Sequence, residues 1–265
     1  MSNKYSTVTS KTLAAAVILG SAALSQAAVV NIDFGAIGVD GIQVGLAAAP
    51  DADGGVTATW NGINTATAAG LLVSTGEIST VGLNFSARGF FNGPVDQELA
   101  SGHAALFGDY ITNRANDNGF DQRTQTITGL TAGNTYDIYI YGQGDNFTDT
   151  NNNGGQNLGV TIDGNFFRTS HDGVNGGDGQ LVENIEYVVL SAIEADASGE
   201  ITFDTFNPGG GGTGEFATDP DSNASRFSGI NGIQIVGDVV VVPEPSSFAL
   251  LGLGFVGFAL RRRRR

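Results

Sequence analysis

The feature that most limits what this chain can fold into is its punctuation. Forty glycines, with many Asn, Asp and Thr, cut 265 residues into short apolar runs. Glycine at that density disfavours helices, while Asn, Asp and Gly supply the tight turns that join strands. The runs themselves alternate with period two. Val81, Leu83 and Phe85 share one face of the stretch 78–87. Tyr136, Ile138 and Ile140 share one face of 134–141, and Asp137, Tyr139 and Tyr141 share the other. A strand puts i, i+2 and i+4 on one side, so these runs read as half-buried β-structure.

The rest of the chain fits the same pattern. Residues 28–34 predict a first strand with Val30, Ile32 and Phe34 on one face. Apolar pieces at 42–46 and 56–60 flank a turn at 50–55. Residues 123–128 and 134–141, joined by Gly129-Leu130-Thr131-Ala132-Gly133, read as a hairpin. Asp163-Gly164 sits between two further runs and predicts a second hairpin. Residues 185–193, 200–206 and 226–236 bring the expectation to about ten strands. The one helix candidate is 96–111, weakened by Gly102 and Gly108. The expected fold is all-β: a jelly-roll-like antiparallel β-sandwich over residues 28–238. The order of its blocks resembles jelly-roll, galactose-binding-like and carbohydrate-binding sandwiches. Asn31-Ile32-Asp33-Phe34-Gly35, Tyr136-Asp137-Ile138-Tyr139 and Asn231-Gly232-Ile233-Gln234-Ile235 carry that likeness. These are strand and turn patterns and specify no chemistry.

Both ends read differently from the middle. Lys4 and Lys11 precede an apolar stretch, 13–24, and Ser25-Gln26-Ala27 supplies small residues at cleavage positions. Residues 1–27 therefore predict a cleavable signal peptide, cut between Ala27 and Ala28. At the other end Pro243-Glu244-Pro245 precedes a charge-free run, 246–260, and then Arg261 to Arg265. Fifteen residues make a helix of about 22 Å. That is short for a hydrocarbon core of about 30 Å, but snorkelling arginines and bilayer thinning close the gap. The arginines mark the cytoplasmic side of such a transmembrane helix.

The ordered triple of motif, apolar run and Arg cluster resembles the PEP-CTERM sorting signal of Gram-negative bacteria. The resemblance covers about the last 23 residues of the tail, 239–265. It implies an address read at Pro243, Glu244 and Pro245 by a membrane protease-transpeptidase, the exosortase. It also implies export by the secretion machinery, transient anchoring in the inner membrane, tail removal, surface display and co-occurrence with exopolysaccharide.

Removing the ends changes the charge. Of the 27 acidic residues only Glu244 lies outside 28–242, and of the twelve basic ones only Arg88, Arg114, Arg123, Arg168 and Arg226 lie inside. Five arginines against the remaining 26 carboxylates leave a formal −21. Such a body repels nucleic acid and anionic lipid. It contains neither lysine nor cysteine, which excludes Schiff-base and thiol nucleophiles and leaves packing alone to stabilise it.

Candidate chemistry is sparse. No Gly-x-Ser-x-Gly elbow, His-Glu-x-x-His or P-loop occurs, and the two histidines, His103 and His171, lack partners at ligand spacing. Trp60, Tyr139 and Tyr141 are candidate carbohydrate contacts, since aromatic faces suit pyranose rings, although core or strand-edge packing accounts for them as well. Asp149, Asn151 and Asn153, followed by Gly154, match the opening of a calcium loop, with Asp145 as an added oxygen donor. Position twelve of that loop is Val160, so the usual bidentate Glu is missing, and a solvated Asn-rich turn is the plain alternative. Structural calcium is accordingly the one cofactor suggested. The chain thus reads as an exported, surface-sorted, non-enzymatic matrix protein that contacts polysaccharide. The alternatives are a secreted polysaccharide-active enzyme on the same sandwich, and a purely structural or adhesive surface protein.

Overall fold

The computed structural model describes residues 26–35, 48–49, 58–87, 89–92, 103–114, 122–142, 157–169, 181–206 and 227–242. In chain order these hold β1 (Gln26–Phe34), β2 (Trp60–Ile63), β3 (Thr67–Ala68), β4 (Gly82–Phe85) and β5 (Gly89–Asn92). Then come the helical turn α1 (Ala104–Phe107), β6 (Asp109–Arg114), β7 (Arg123–Thr128) and β8 (Thr135–Tyr141). The rest are β9 (Gly159–Ile162), β10 (Asn165–Arg168), β11 (Tyr187–Glu194), β12 (Ile201–Phe206), β13 (Phe227–Ile230) and β14 (Gly232–Val239).

The first sheet runs β11-β8-β14-β1-β2 and the second β10-β9-β12-β7-β4-β3; β13-β6-β5 form a third, smaller one. Among the described strands every pairing is antiparallel except β1 with β2, which corrects the wholly antiparallel expectation. The two large sheets face each other across one core. Val30, Ile32 and Phe34, with Ile138, Ile140, Ile233 and Ile235, enter from the first sheet. Leu83, Phe85, Ile127, Val160 and Phe203 enter from the second. The rings of Phe34 and Phe85 meet across the gap at 5.2 Å, and Phe85 meets Phe203 edge-on at 6.1 Å. Burial of alternate residues on facing sheets is what holds a sandwich together.

Three further expectations are corrected. First, β7 and β8 are not a hairpin: β7 pairs with β4 and β12, whereas β8 pairs with β11 and β14. The link between them crosses from one sheet to the other. Buried Leu130 plugs it into the core, and the Tyr136 hydroxyl accepts from Thr131 N and donates to the Asp238 carbonyl, each at 2.9 Å. Gly129 makes the crossing possible, with φ +72 and so little room that a Cβ would overlap the Thr80 carbonyl. Second, of the helix expected at 96–111, only Ala104–Phe107 is helical among the described residues, and Asp109–Arg114 is a strand. The β-branched Ile111 sits between Phe90 and Ile230 in that ladder. Third, the last strand is two. Asn231 separates them, donating its amide to the Tyr141 carbonyl and accepting from Phe34 N, while β13 and β14 go to different sheets.

The hairpin at Asp163-Gly164 is present, with φ of 50 and 77, the left-handed pair that a two-residue turn uses. Gln26 opens β1 opposite Val239, so the predicted cut between Ala27 and Ala28 falls within this strand. The chain stays bonded to the body beyond Asp238, up to Val242. Among the described residues no helix is long and apolar enough to cross a membrane, and the expected span 246–260 lies outside them.

Candidate functional site

The outer face of the first sheet differs from an ordinary solvated face. Its outward positions are Asn31 on β1, Gln234 on β14, Tyr139 and Tyr141 on β8, Tyr187 on β11 and Trp60 on β2. Register sets Trp60 beside Asn31, Asn31 beside Gln234, Gln234 beside Tyr139, and Tyr141 beside Tyr187. These side chains form one continuous stripe across five strands.

The middle of the stripe is covered. Leu106 and Phe107 of α1 join Trp60 and Tyr141 in a second buried cluster. The Phe107 ring meets Tyr141 edge-on at 6.1 Å. Beneath it, Gln234 satisfies three neighbours. Its Oε1 accepts from the Tyr141 hydroxyl and from Ala49 N at 3.0 Å, and its Nε2 donates to Asn31 Oδ1 at 2.7 Å. Asn31 Nδ2 then donates to the Thr59 carbonyl at 3.0 Å, and the Tyr141 oxygen accepts from Ala48 N at 2.7 Å. Every buried amide in this chain of bonds has a partner, which is what permits polar groups inside. Burial pushes the Tyr141 hydroxyl far above its ordinary value, against the opposing pull of the Ala48 and Ala49 amides.

The β8–β11 end of the stripe is open. Tyr139 and Tyr187 are half-buried, with ring centroids 5.9 Å apart and planes inclined by 31°. Tyr187 also lies 5.7 Å from Tyr141, so the exposed pair is braced by the buried ring. Carboxylates stand close by. Partial burial raises the Tyr139 hydroxyl first, and the charges of Asp137 and Glu183 raise it further. Burial likewise leads for Tyr187, followed by Glu183, Tyr139 and Glu186. Asp137 is fixed in place because its Oδ1 accepts from Ala192 N at 2.8 Å, inside the β-bulge of β11. The result is a firm aromatic shelf with oxygen acceptors at its edge. Its phenols stay protonated at neutral pH, so they donate hydrogen bonds and do not act as bases.

Of the residues singled out from sequence, Trp60, Tyr139 and Tyr141 do come together. However, Trp60 is 6% exposed and Tyr141 is fully buried, so neither ring offers a free face, and both serve to hold the covered part of the stripe. Tyr139 alone of the three reaches the open part. Tyr187 was missed, although the alternation of 185–193 places it with Val189, opposite the buried Val188 and Leu190. Asp145, Asp149, Asn151 and Asn153 lie outside the described residues, as do Pro243, Glu244 and Pro245. Among the described residues no group of three acidic or histidine side chains is placed to hold a metal ion.

A family model described as the PEP-CTERM protein-sorting motif matches residues 241–264. The chain therefore carries the address of an exported protein sorted by exosortase to the cell surface. No curated protein matches the chain. Among solved structures it is similar to that of a plant receptor-like kinase, ANX2, at 15% identity and a TM-score of 0.34. That match covers 68% of this chain and 57% of the kinase structure, so the chain spans under two thirds of that relative. It is also similar to TmCBM61, solved in complex with beta-1,4-galactotriose, at 10% identity and a TM-score of 0.22. That match covers 64% of this chain and 92% of the other. Likeness at these TM-scores carries no argument about function.

Proposed function

We propose that this protein is exported, displayed at the cell surface and binds polysaccharide of the extracellular matrix without cleaving it. The observation that carries this reading is the braced, half-exposed Tyr139–Tyr187 pair beside Asp137 and Glu183. A sugar ring offers C–H groups on its faces and hydroxyls around its rim. An aromatic face with acceptors at its edge matches both. The carboxylates also set a preference. They accept from hydroxyl or ammonium groups and repel uronate, sulfate or phosphate, as does the −21 charge of the body. The glycan is therefore neutral or amino-bearing.

The test is a binding and turnover screen of residues 28–242 against neutral, amino-bearing and uronate-rich polysaccharides. Binding of the first two classes without new reducing ends supports the reading. Release of reducing ends makes the protein a polysaccharide-active enzyme instead. Failure to bind any class leaves a structural or adhesive protein.

A further inference from the structure

The two ends of the described chain leave the sandwich at one pole. Gln26 pairs with Val239 and Ala27 with Asp238, so the predicted signal peptide ends beside the point where the sorting tail starts. The tail does not leave freely. Thr80 N donates to the Val240 carbonyl at 3.0 Å, Val242 N donates to the Ile78 carbonyl at 2.8 Å, and Ser79 bridges Val241 in antiparallel fashion. Ser79 is itself held, its Oγ donating to the Leu71 carbonyl at 2.6 Å and accepting from Val81 N at 3.1 Å. Residues 78–80 lead into β4 of the second sheet, and residues 240–242 continue β14 of the first. This clip therefore ties the two sheets together where the tail exits.

The clip ends one residue before the sorting motif. Pro243, Glu244 and Pro245 are all that separates Val242 from the apolar run that starts at Ser246. Three extended residues reach at most about 10 Å. The polar layer on one side of a bilayer is about 5–8 Å thick. With the clip closed, a tail anchored through that run leaves the folded body almost against the membrane, with little room for a protease around the motif. Freeing residues 240–242 adds three residues and brings the reach to about 20 Å. The clip is also easy to open. Two backbone hydrogen bonds hold it; Ile78 and Val242 are 46% and 44% exposed, so the apolar contact given up on opening is mainly that of the half-buried Val241 against the core.

We propose that this clip controls access to the sorting signal: the processing enzyme acts on the open form, and closure by the folded body slows removal of the tail. The inference rests on the sorting motif and its apolar run acting as an anchor, and is independent of the glycan reading.

The test is a pulse-chase of the full-length precursor in its own host. A Gly-Ser-Gly-Ser insertion between Val242 and Pro243 leaves the body and the motif intact, and is expected to speed tail removal about fivefold or more. The double change Ile78→Cys with Val242→Cys places a disulfide across the clip of a chain without other cysteines. It is expected to slow removal, with recovery on adding a reductant. Glu244→Ala is the control and is expected to stop removal in every background. An unchanged or slower rate for the insertion, with Glu244→Ala still blocking, overturns the gate while leaving the sorting motif standing. Normal removal in Glu244→Ala shows instead that the motif is not read, and the gate falls with it.

Discussion

The outer faces of the two large sheets are built on the same alternation and end up opposite in character. On the second sheet Thr124 and Thr126 of β7 point outward beside Asp204 and Thr202 of β12. They satisfy each other at the surface. Thr124 donates to Asp204 at 2.7 Å, Gln122 donates to the same carboxylate at 2.5 Å, and Thr126 lies 3.3 Å from Thr202. Side-chain ladders of this kind are what a sheet turns toward water. On the first sheet the corresponding positions hold Asn31, Gln234, Tyr139, Tyr141 and Tyr187, of which three are buried. The lesson is that outward does not mean solvated. This face buries two amides and a tyrosine under a lid and leaves two more tyrosines half-buried at its edge.

Gln234→Leu separates the two faces most strongly. It orphans the Tyr141 hydroxyl, Asn31 Oδ1 and the Ala49 amide together, and is expected to cost about 3 kcal/mol or more in denaturant unfolding. Thr126→Ala, at an outward position of the other face, is expected to stay within about 0.5 kcal/mol. Equal costs would erase the distinction between the faces.

Alkali sharpens the same contrast. The Tyr141 hydroxyl ionises at its ordinary value of about 10 in the unfolded chain and far higher in the fold. The unfolded state thus binds fewer protons above that pH. Stability is complete below pH 10 and is lost as pH rises beyond it, by about 1.4 kcal/mol per pH unit for this one group. Tyr139 and Tyr187 act in the same direction. Tyr141→Phe is expected to be less stable at pH 7, having lost the bonds to Gln234 and Ala48, but to show a shallower alkaline decline in melting temperature. An unchanged decline would place the sensitivity elsewhere.

What the sequence disclosed and what it withheld divide along physical lines. Alternation at Val81, Leu83 and Phe85, or at Tyr136, Ile138 and Ile140, reports which face is buried, and all six side chains are in the core. It cannot report which strand lies alongside. Ile127 and Ile138 point inward whether their strands are neighbours or face each other across the core, so a hairpin was expected where the chain changes sheets. Leu130 was the available clue, an apolar residue in a turn that solvent alone would not favour. Over 96–111 the apolar spacing points to a helix that Gly102 and Gly108 weaken, and the β-branched Ile111 and Thr112 are the overlooked sign of the strand Asp109–Arg114. The aromatic shelf was half legible. Tyr139 stood out in a strongly alternating strand, but its partner Tyr187 comes from a strand 48 positions later, and only three-dimensional pairing joins them. The sorting motif, by contrast, is read locally and in order, so sequence sufficed for it.

A glycan held on the open part of the first sheet's outer face depends on Tyr187. The most direct measurement is the affinity of residues 28–242 for the polysaccharide that binds best, compared among wild type, Tyr187→Ala and Phe166→Ala. Phe166 is a fair rival because it is 37% exposed and stacks on Phe206 at 5.5 Å, at the β9–β10 end of the second sheet. Tyr187→Ala is expected to lose about tenfold in affinity, near 1.4 kcal/mol, and Phe166→Ala nothing, with both variants folded. Full affinity in Tyr187→Ala, or the loss appearing in Phe166→Ala instead, would contradict that dependence on Tyr187.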